Sequence, residues 1–107
     1  MSYRRKTIRL VIERKGDIHR RGKTFPCTVV DVSEQGVRVK TAAPVTVGEE
    51  LQVDCYLTKD WTVQCTVQVV HASPSQFGSR ITGISPEQLS RLREFVDDLI
   101  AQNFPRA

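Results

Sequence analysis

The chain has 107 residues, 39% of them apolar and 26% charged, with a net charge of +4. That length makes one domain around a single core, and no apolar run is long enough to cross a bilayer. The opening MSYRRKTIRLV lacks the apolar stretch of a secretory signal and the acid-free, serine-rich length of a transit peptide, so a soluble cytoplasmic protein is expected.

The first segment is the most basic. Residues 1–23 hold nine Lys and Arg against Glu13 and Asp17, a net of +7, while the remaining 84 residues carry −3. An anionic partner is therefore expected at the N-terminal quarter. Six of the nine cations are Arg, whose planar fork suits bidentate recognition of phosphate or a base edge. Residues 1–12 are charged and poor in core residues, which predicts a partly flexible arm.

From there the apolar residues alternate, one in two, and predict strands at 7–13, 24–30, 36–41, 50–58, 61–71 and 77–84. Gly16-Asp17, Gly22-Lys23, Ser33 to Gly36, Gly48, Lys59-Asp60 and Ser73-Pro74-Ser75 read as breaks between them. In the fourth strand Leu51, Val53, Cys55 and Leu57 share the inner face, and Tyr56 points out. In the fifth the inner set is Val63, Cys65, Val67 and Val69, with Trp61 in inward register at its start. Cys55 and Cys65 thus act as small core residues. With Cys27 the cysteines are odd in number and widely spaced, which gives neither a disulfide framework nor a metal site.

Short strands with hairpin-length connections argue for an antiparallel barrel or sandwich. Ser85-Pro86-Glu87-Gln88 then begins a helix, with Ser85 as cap and Gln88 in the capping-box position. Leu89, Leu92, Val96 and Leu99 recur at three and four, with Phe95 and Ile100 widening the stripe, to an end near Asn103. This amphipathic helix is expected to cover an edge or mouth of the barrel in preference to forming a dimer seam.

Catalytic groupings are missing from the pattern. His19 falls in the basic region read as loop and His71 near a strand end; neither is spaced with a nucleophile, and no glycine-rich phosphate loop precedes a helix. The expected class is a binding module with no enzyme activity, no metal and no cofactor.

Two motifs remain. Arg5-Lys6-Thr7-Ile8-Arg9 has the form Arg-x-x-x-Arg, and Asp31-Val32-Ser33-Glu34-Gln35-Gly36 the form Asp-x-Ser-x-x-Gly ahead of the strand Val37, Val39. In this order they resemble the PilZ domain family of cyclic di-GMP receptors. VGEELQV looks like that family's glycine before a mid-barrel strand, and FGSRITGISPEQ like its last strand leading into the C-terminal helix. One departure is Ile81, where the family's Gly-x-x-Phe would put an aromatic.

The resemblance implies a six-stranded antiparallel β-barrel with one C-terminal α-helix: a single domain over 1–107, with an arm at 1–12, the barrel at 13–84 and the helix at 85–103. It implies cyclic di-GMP as ligand, held by Arg5 and Arg9 together with Asp31, Ser33 and Gly36. Arg4 adds a third guanidinium that can stack on a second guanine, and Arg38, with Lys40 on the same outward face, can add phosphate contacts. The chemistry fits the motifs: guanine O6 and N7 form an acceptor edge that an Arg fork meets in bidentate fashion, while Asp31 and Ser33 can serve its N–H edge. Gly36 either leaves room for the base or supplies a positive φ. Singly, Asp31, Ser33 and Gly36 are also ordinary turn formers. The expected partners are the nucleotide and an unidentified downstream protein. The alternatives are a ligand-independent protein adaptor and, more weakly, a single-strand nucleic-acid binder, which lacks aromatic platforms on the outer wall.

Overall fold

A computed structural model describes residues 10–103. Within them the elements run β1 (Leu10–Arg20), β2 (Lys23–Val32), β3 (Gly36–Lys40), β4 (Glu50–Cys55), β5 (Val63–Ala72), β6 (Gln76–Gly83) and α1 (Pro86–Asn103). The six strands close into one antiparallel barrel in the order β1-β2-β3-β6-β5-β4, with β1 and β4 sealing it. The expected fold class is the observed one.

The alternation that predicted the strands fills the barrel. Val37 and Val39, Leu51, Val53 and Cys55, and Val63, Cys65, Val67 and Val69 all point inward and are buried, with Ile18, Val29 and Phe77 fully enclosed. Ser79 is a buried hydroxyl on the inner wall, and it donates to the Val37 carbonyl at 2.8 Å. Ile81 packs against this core from a half-buried position, as does Trp61, which precedes β5.

Helix α1 starts as its sequence requires: Ser85 Oγ accepts from the Gln88 backbone N–H at 3.2 Å. The Gln88 side chain does not return to the cap. Its Oε1 accepts from the Gln64 backbone N–H at 2.9 Å, which ties the helix start to β5. Because the sheet is closed, α1 has no edge to cover; it buries Leu92, Phe95 and Val96 against the barrel, touching β5 and β1.

The main departure is β1. The expected strand at 7–13, with a break at Gly16-Asp17, gives way to a strand that runs on to Arg20 and carries His19 with it. Gly16 is not a turn residue here. It pairs with Cys27 on one side and Cys55 on the other, and a Cβ on it would sit 2.6 Å from the Asp54 carbonyl oxygen. A glycine in a strand interior thus marks a close backbone approach. The reversal comes at Arg21-Gly22, where φ is 51° and 77°, both positive as a tight type I′ hairpin demands.

All three cysteines are buried free thiols. Burial first, then the carboxylates of Asp17 and Asp54, push the Cys27 thiol up to about 12. Cys55 is also raised, by its hydrogen bond with Cys65 and then by burial.

Two outcomes are expected from this packing. Replacing Gly16 by Ala should cost about 1–3 kcal/mol by forcing β1 off β4, read as a melting point lower by about 4–8 °C per kcal/mol. In the native protein a thiol reagent at pH 8 should modify none of the three cysteines; stoichiometric labelling without denaturant would contradict that burial.

Candidate functional site

The turn between β2 and β3 is made by its own side chains. Ser33 donates its backbone N–H to the Gly36 carbonyl at 3.0 Å, and its Oγ accepts from the N–H groups of Gln35 and Gly36, each at 3.2 Å. The side chain is thereby turned inward, and Ser33 is 1% exposed. Gly36 follows as the first residue of β3, paired with Arg80 of β6. Its φ is not among the positive ones, so of the two roles the sequence suggests for it, the left-handed conformation falls away. Instead a Cβ at residue 36 would lie 2.2 Å from the Ser79 carbonyl oxygen, inside any allowed contact.

Asp31 and Arg38 face outward from neighbouring strands as a cross-strand pair. Arg38 Nε donates to Asp31 Oδ2 at 3.2 Å, with the carboxylate side chain 13% and the guanidinium side chain 37% exposed. On its other side Arg38 faces Gly78 of β6. The guanidinium carbon and both terminal nitrogens lie 3.8–3.9 Å from where a Gly78 Cβ would stand, so the group rests over bare backbone. The structure therefore brings Asp31, Ser33, Gly36 and Arg38 to one end of the β2–β3 pair. Arg4, Arg5 and Arg9 lie outside the described residues.

Leu10, the first described residue, pairs with Val32, and Val11 pairs with Asp31. The first described residues of β1 therefore lie beside the Asp31–Gly36 turn.

Other members of the N-terminal basic cluster are committed elsewhere. Arg14 Nε donates to the Leu57 carbonyl at 2.9 Å, and its guanidinium stands 5.7 Å from the centre of the Phe95 ring, a cation–π contact that holds β1 to α1. Arg20 pairs with Glu49 and reaches the Pro44 carbonyl, both at 2.5 Å. The +7 of the first 23 residues thus overstates the charge available to a ligand.

Sequence reasoning misses a link between the turn and the helix. Arg93 of α1 donates to Glu34 Oε1 at 2.6 Å, and the Ile81 N–H donates to the Gln35 carbonyl at 2.8 Å. Glu34 occupies an unspecified position of the Asp-x-Ser-x-x-Gly motif, and nothing local in the sequence pairs it with Arg93. Beside this link an open cleft of about 870 Å³ runs between β6 and α1, with Glu34, Val70, Arg80 and Leu89 in its walls.

The opposite wall carries a second polar group. His19 Nε2 lies 2.7 Å from Asp54 Oδ2, and Thr24 Oγ1 lies 3.2 Å from His19 Nδ1, a chain of contacts across β4, β1 and β2. Beside it Tyr56 donates to Asp17, and this bond above all raises the phenol to about 12. Among the described residues no group of three His, Cys, Asp or Glu side chains is placed to hold a metal, and no helix is long and apolar enough to cross a membrane.

Comparison with known proteins agrees with this geometry. The PilZ domain model matches residues 3–98. Solved structures with the same fold include the PilZ domain of YcgR from Escherichia coli with c-di-GMP, at TM-score 0.76 and 14% identity over 94% of this chain and 95% of that one. Bacillus subtilis MotI/DgrA, an inhibitor of motility, matches at TM-score 0.76 and 14% identity over 99% of this chain, and K. pneumonia MrkH in its apo state at 0.76 and 16% over 95%. The chain spans 54% of the length of each of these last two. No curated protein sequence matches it.

The Gly36 geometry gives a direct check. Gly36→Ala should destabilise the domain by about 1–3 kcal/mol whether or not a ligand is present, measured by urea unfolding; an unchanged midpoint would show that β3 does not approach β6 as described.

Proposed function

The chain belongs to the PilZ domain family, and on that premise we propose that it is a cyclic di-GMP receptor without catalytic activity. In this reading Arg5 and Arg9 grip the nucleotide from one side and the Asp31–Gly36 turn with Arg38 receives it on the other. The observation that carries the proposal is the pairing of Leu10 with Val32 and of Val11 with Asp31. Arg9 is bonded to Leu10, and Arg5 is within about 18 Å of Leu10 even by the longest path the chain allows. Both arginines of the first motif are thus within chain reach of the second.

The roles divide by chemistry. The guanidinium forks of Arg5 and Arg9 match the O6/N7 edge of guanine and the phosphates. Asp31, an acceptor on the outer wall, suits the N–H edge of a base. Ser33 shapes the turn from inside, and Gly36 lets it lie close to β6. Arg4 serves a second, stacked ligand if two are bound. Residues 1–9 hold four cations and no acid, so an anion that neutralises them favours an ordered arm, and that ordering changes the surface offered to a downstream protein. The YcgR domain whose structure was solved with c-di-GMP has the same fold over nearly the whole chain, which supports this reading.

A ligand-independent adaptor is the second reading. What favours it is that the turn is satisfied by itself, with Ser33 Oγ and Asp31 already bonded. An adaptor would retain its partner equally well with Arg5 and Arg9 replaced by Ala, and a receptor would not.

Calorimetric titration with cyclic di-GMP should show micromolar or tighter binding, about −8 kcal/mol or better, lost in Arg9→Ala and not reproduced by GTP or cyclic di-AMP. Saturating ligand should slow amide exchange in residues 1–12. Absence of heat would leave the adaptor; binding without a change in exchange would keep the receptor and discard the ordered arm.

A further inference from the structure

Of the four register shifts in the described sheet, two are of the same kind. Against β3, the register of β2 shifts between Val29 and Asp31; against β6, that of β5 shifts between Val69 and His71. In each case a valine, Val30 or Val70, is the extra residue, and the polar residue after it faces outward while its successor, Val32 or Ala72, packs on the core. The two shifts flank the β3·β6 pair at one level. One outer row therefore crosses four strands: Asp31 beside Arg38, Arg38 beside Gly78, Gly78 beside His71. Bulges of this type recur next to binding sites, where they re-aim a side chain.

At the far end of this row His71 is exposed, and among the described residues its ring makes no hydrogen bond. The Arg38 side chain lies over Gly78, the residue that pairs with His71. The Nε of that guanidinium donates to Asp31, while the terminal amino groups of Arg38 lie over Gly78 of β6. The row thus offers imidazole and guanidinium donors about one strand spacing apart, roughly 4.8 Å, above a floor that has no side chain.

We propose that His71 is a phosphate-contacting residue of the nucleotide site: a ring N–H and the terminal N–H groups of Arg38 hold one phosphate of the cyclic dinucleotide over Gly78. The inference rests on the receptor reading above and extends that site to β5, which neither sequence motif reaches. A phosphate is the fitting group because the guanidinium keeps its charge at any working pH and an imidazole presents at least one N–H in either protonation state. Two oxygens of one phosphate can bridge donors at that spacing with bonds of about 2.8 Å. Val11 stands at the other end of the row, paired with Asp31, so the row runs from β1 to His71 on β5.

The test compares four forms of the protein in cyclic di-GMP titrations: the native chain, His71→Ala, His71→Phe and His71→Gln. Loss of a hydrogen bond to a charged group predicts a Kd about tenfold weaker for Ala and Phe, while Gln, which keeps an N–H donor, should stay within about threefold of native. Melting points should be unchanged, because the side chain is exposed. In the native protein the His71 ring protons, assigned by their absence in His71→Ala, should shift on ligand addition. Native affinity in Phe with loss in Gln would overturn the phosphate contact in favour of stacking on a base. Unchanged affinity in Ala with a silent His71 ring, while Arg9→Ala still abolishes binding, would overturn this inference and leave the receptor standing. No binding by the native chain would overturn both.

Discussion

The Ser79 carbonyl oxygen occupies the place a side chain at residue 36 would need, and much of the site follows from that approach. With β3 pressed on β6 from its first residue, the chain between β2 and β3 must reverse within three residues, and Ser33 is drawn inward to bond the two amides that the reversal frees. The outer face then falls to Asp31 and Arg38 on adjacent strands. Their ion pair is partly exposed and contributes little to stability alone; its effect is to hold a guanidinium flat over Gly78. A site of this kind sits on a rigid wall and depends on backbone spacing more than on side-chain packing.

The sequence shows this wall well where the pattern is repetitive. Leu51 to Leu57 and Val63 to Val69 alternate without interruption, so their inward faces and the two cysteines among them are legible, and the stripe from Leu89 to Ile100 reveals the helix and its buried side. It hides what depends on a partner far along the chain. Gly16 looks like a break because glycine usually is one, and only the nearness of the Asp54 carbonyl turns it into a strand residue. The register shifts at Val30 and Val70 are invisible for the same reason: a bulge is a relation between two strands. Glu34 and Arg93 meet across 59 residues, with no periodicity to announce them. Asp31, Ser33 and Gly36 are legible from the motif and Arg38 from the alternation of the strand after it, yet which of them face outward and which inward is a fact of three dimensions.

Charge shows the same limit from the other direction. The first 23 residues look like one basic field, but Arg14 is spent on Leu57 and Phe95, and Arg20 on Glu49 and Pro44. These arginines bind the barrel to its helix and to the β3–β4 loop. Cations with structural partners cannot turn toward a ligand without breaking those bonds, so net charge over a segment is a poor measure of what it can attract.

Closure of the barrel also bears on how the chain reaches this state. Gly16 pairs at once with Cys27, across a hairpin, and with Cys55, a partner separated from it by roughly forty residues whose loop entropy must be met before the contact gives anything back. The β1·β2 hairpin is local and closes at low entropy cost, whereas the β1·β4 seam joins residues much farther apart in the chain. An interrupted seam leaves two unpaired strand edges, each a template for another chain. The passage through that open form is where this domain is most exposed to association with its own copies.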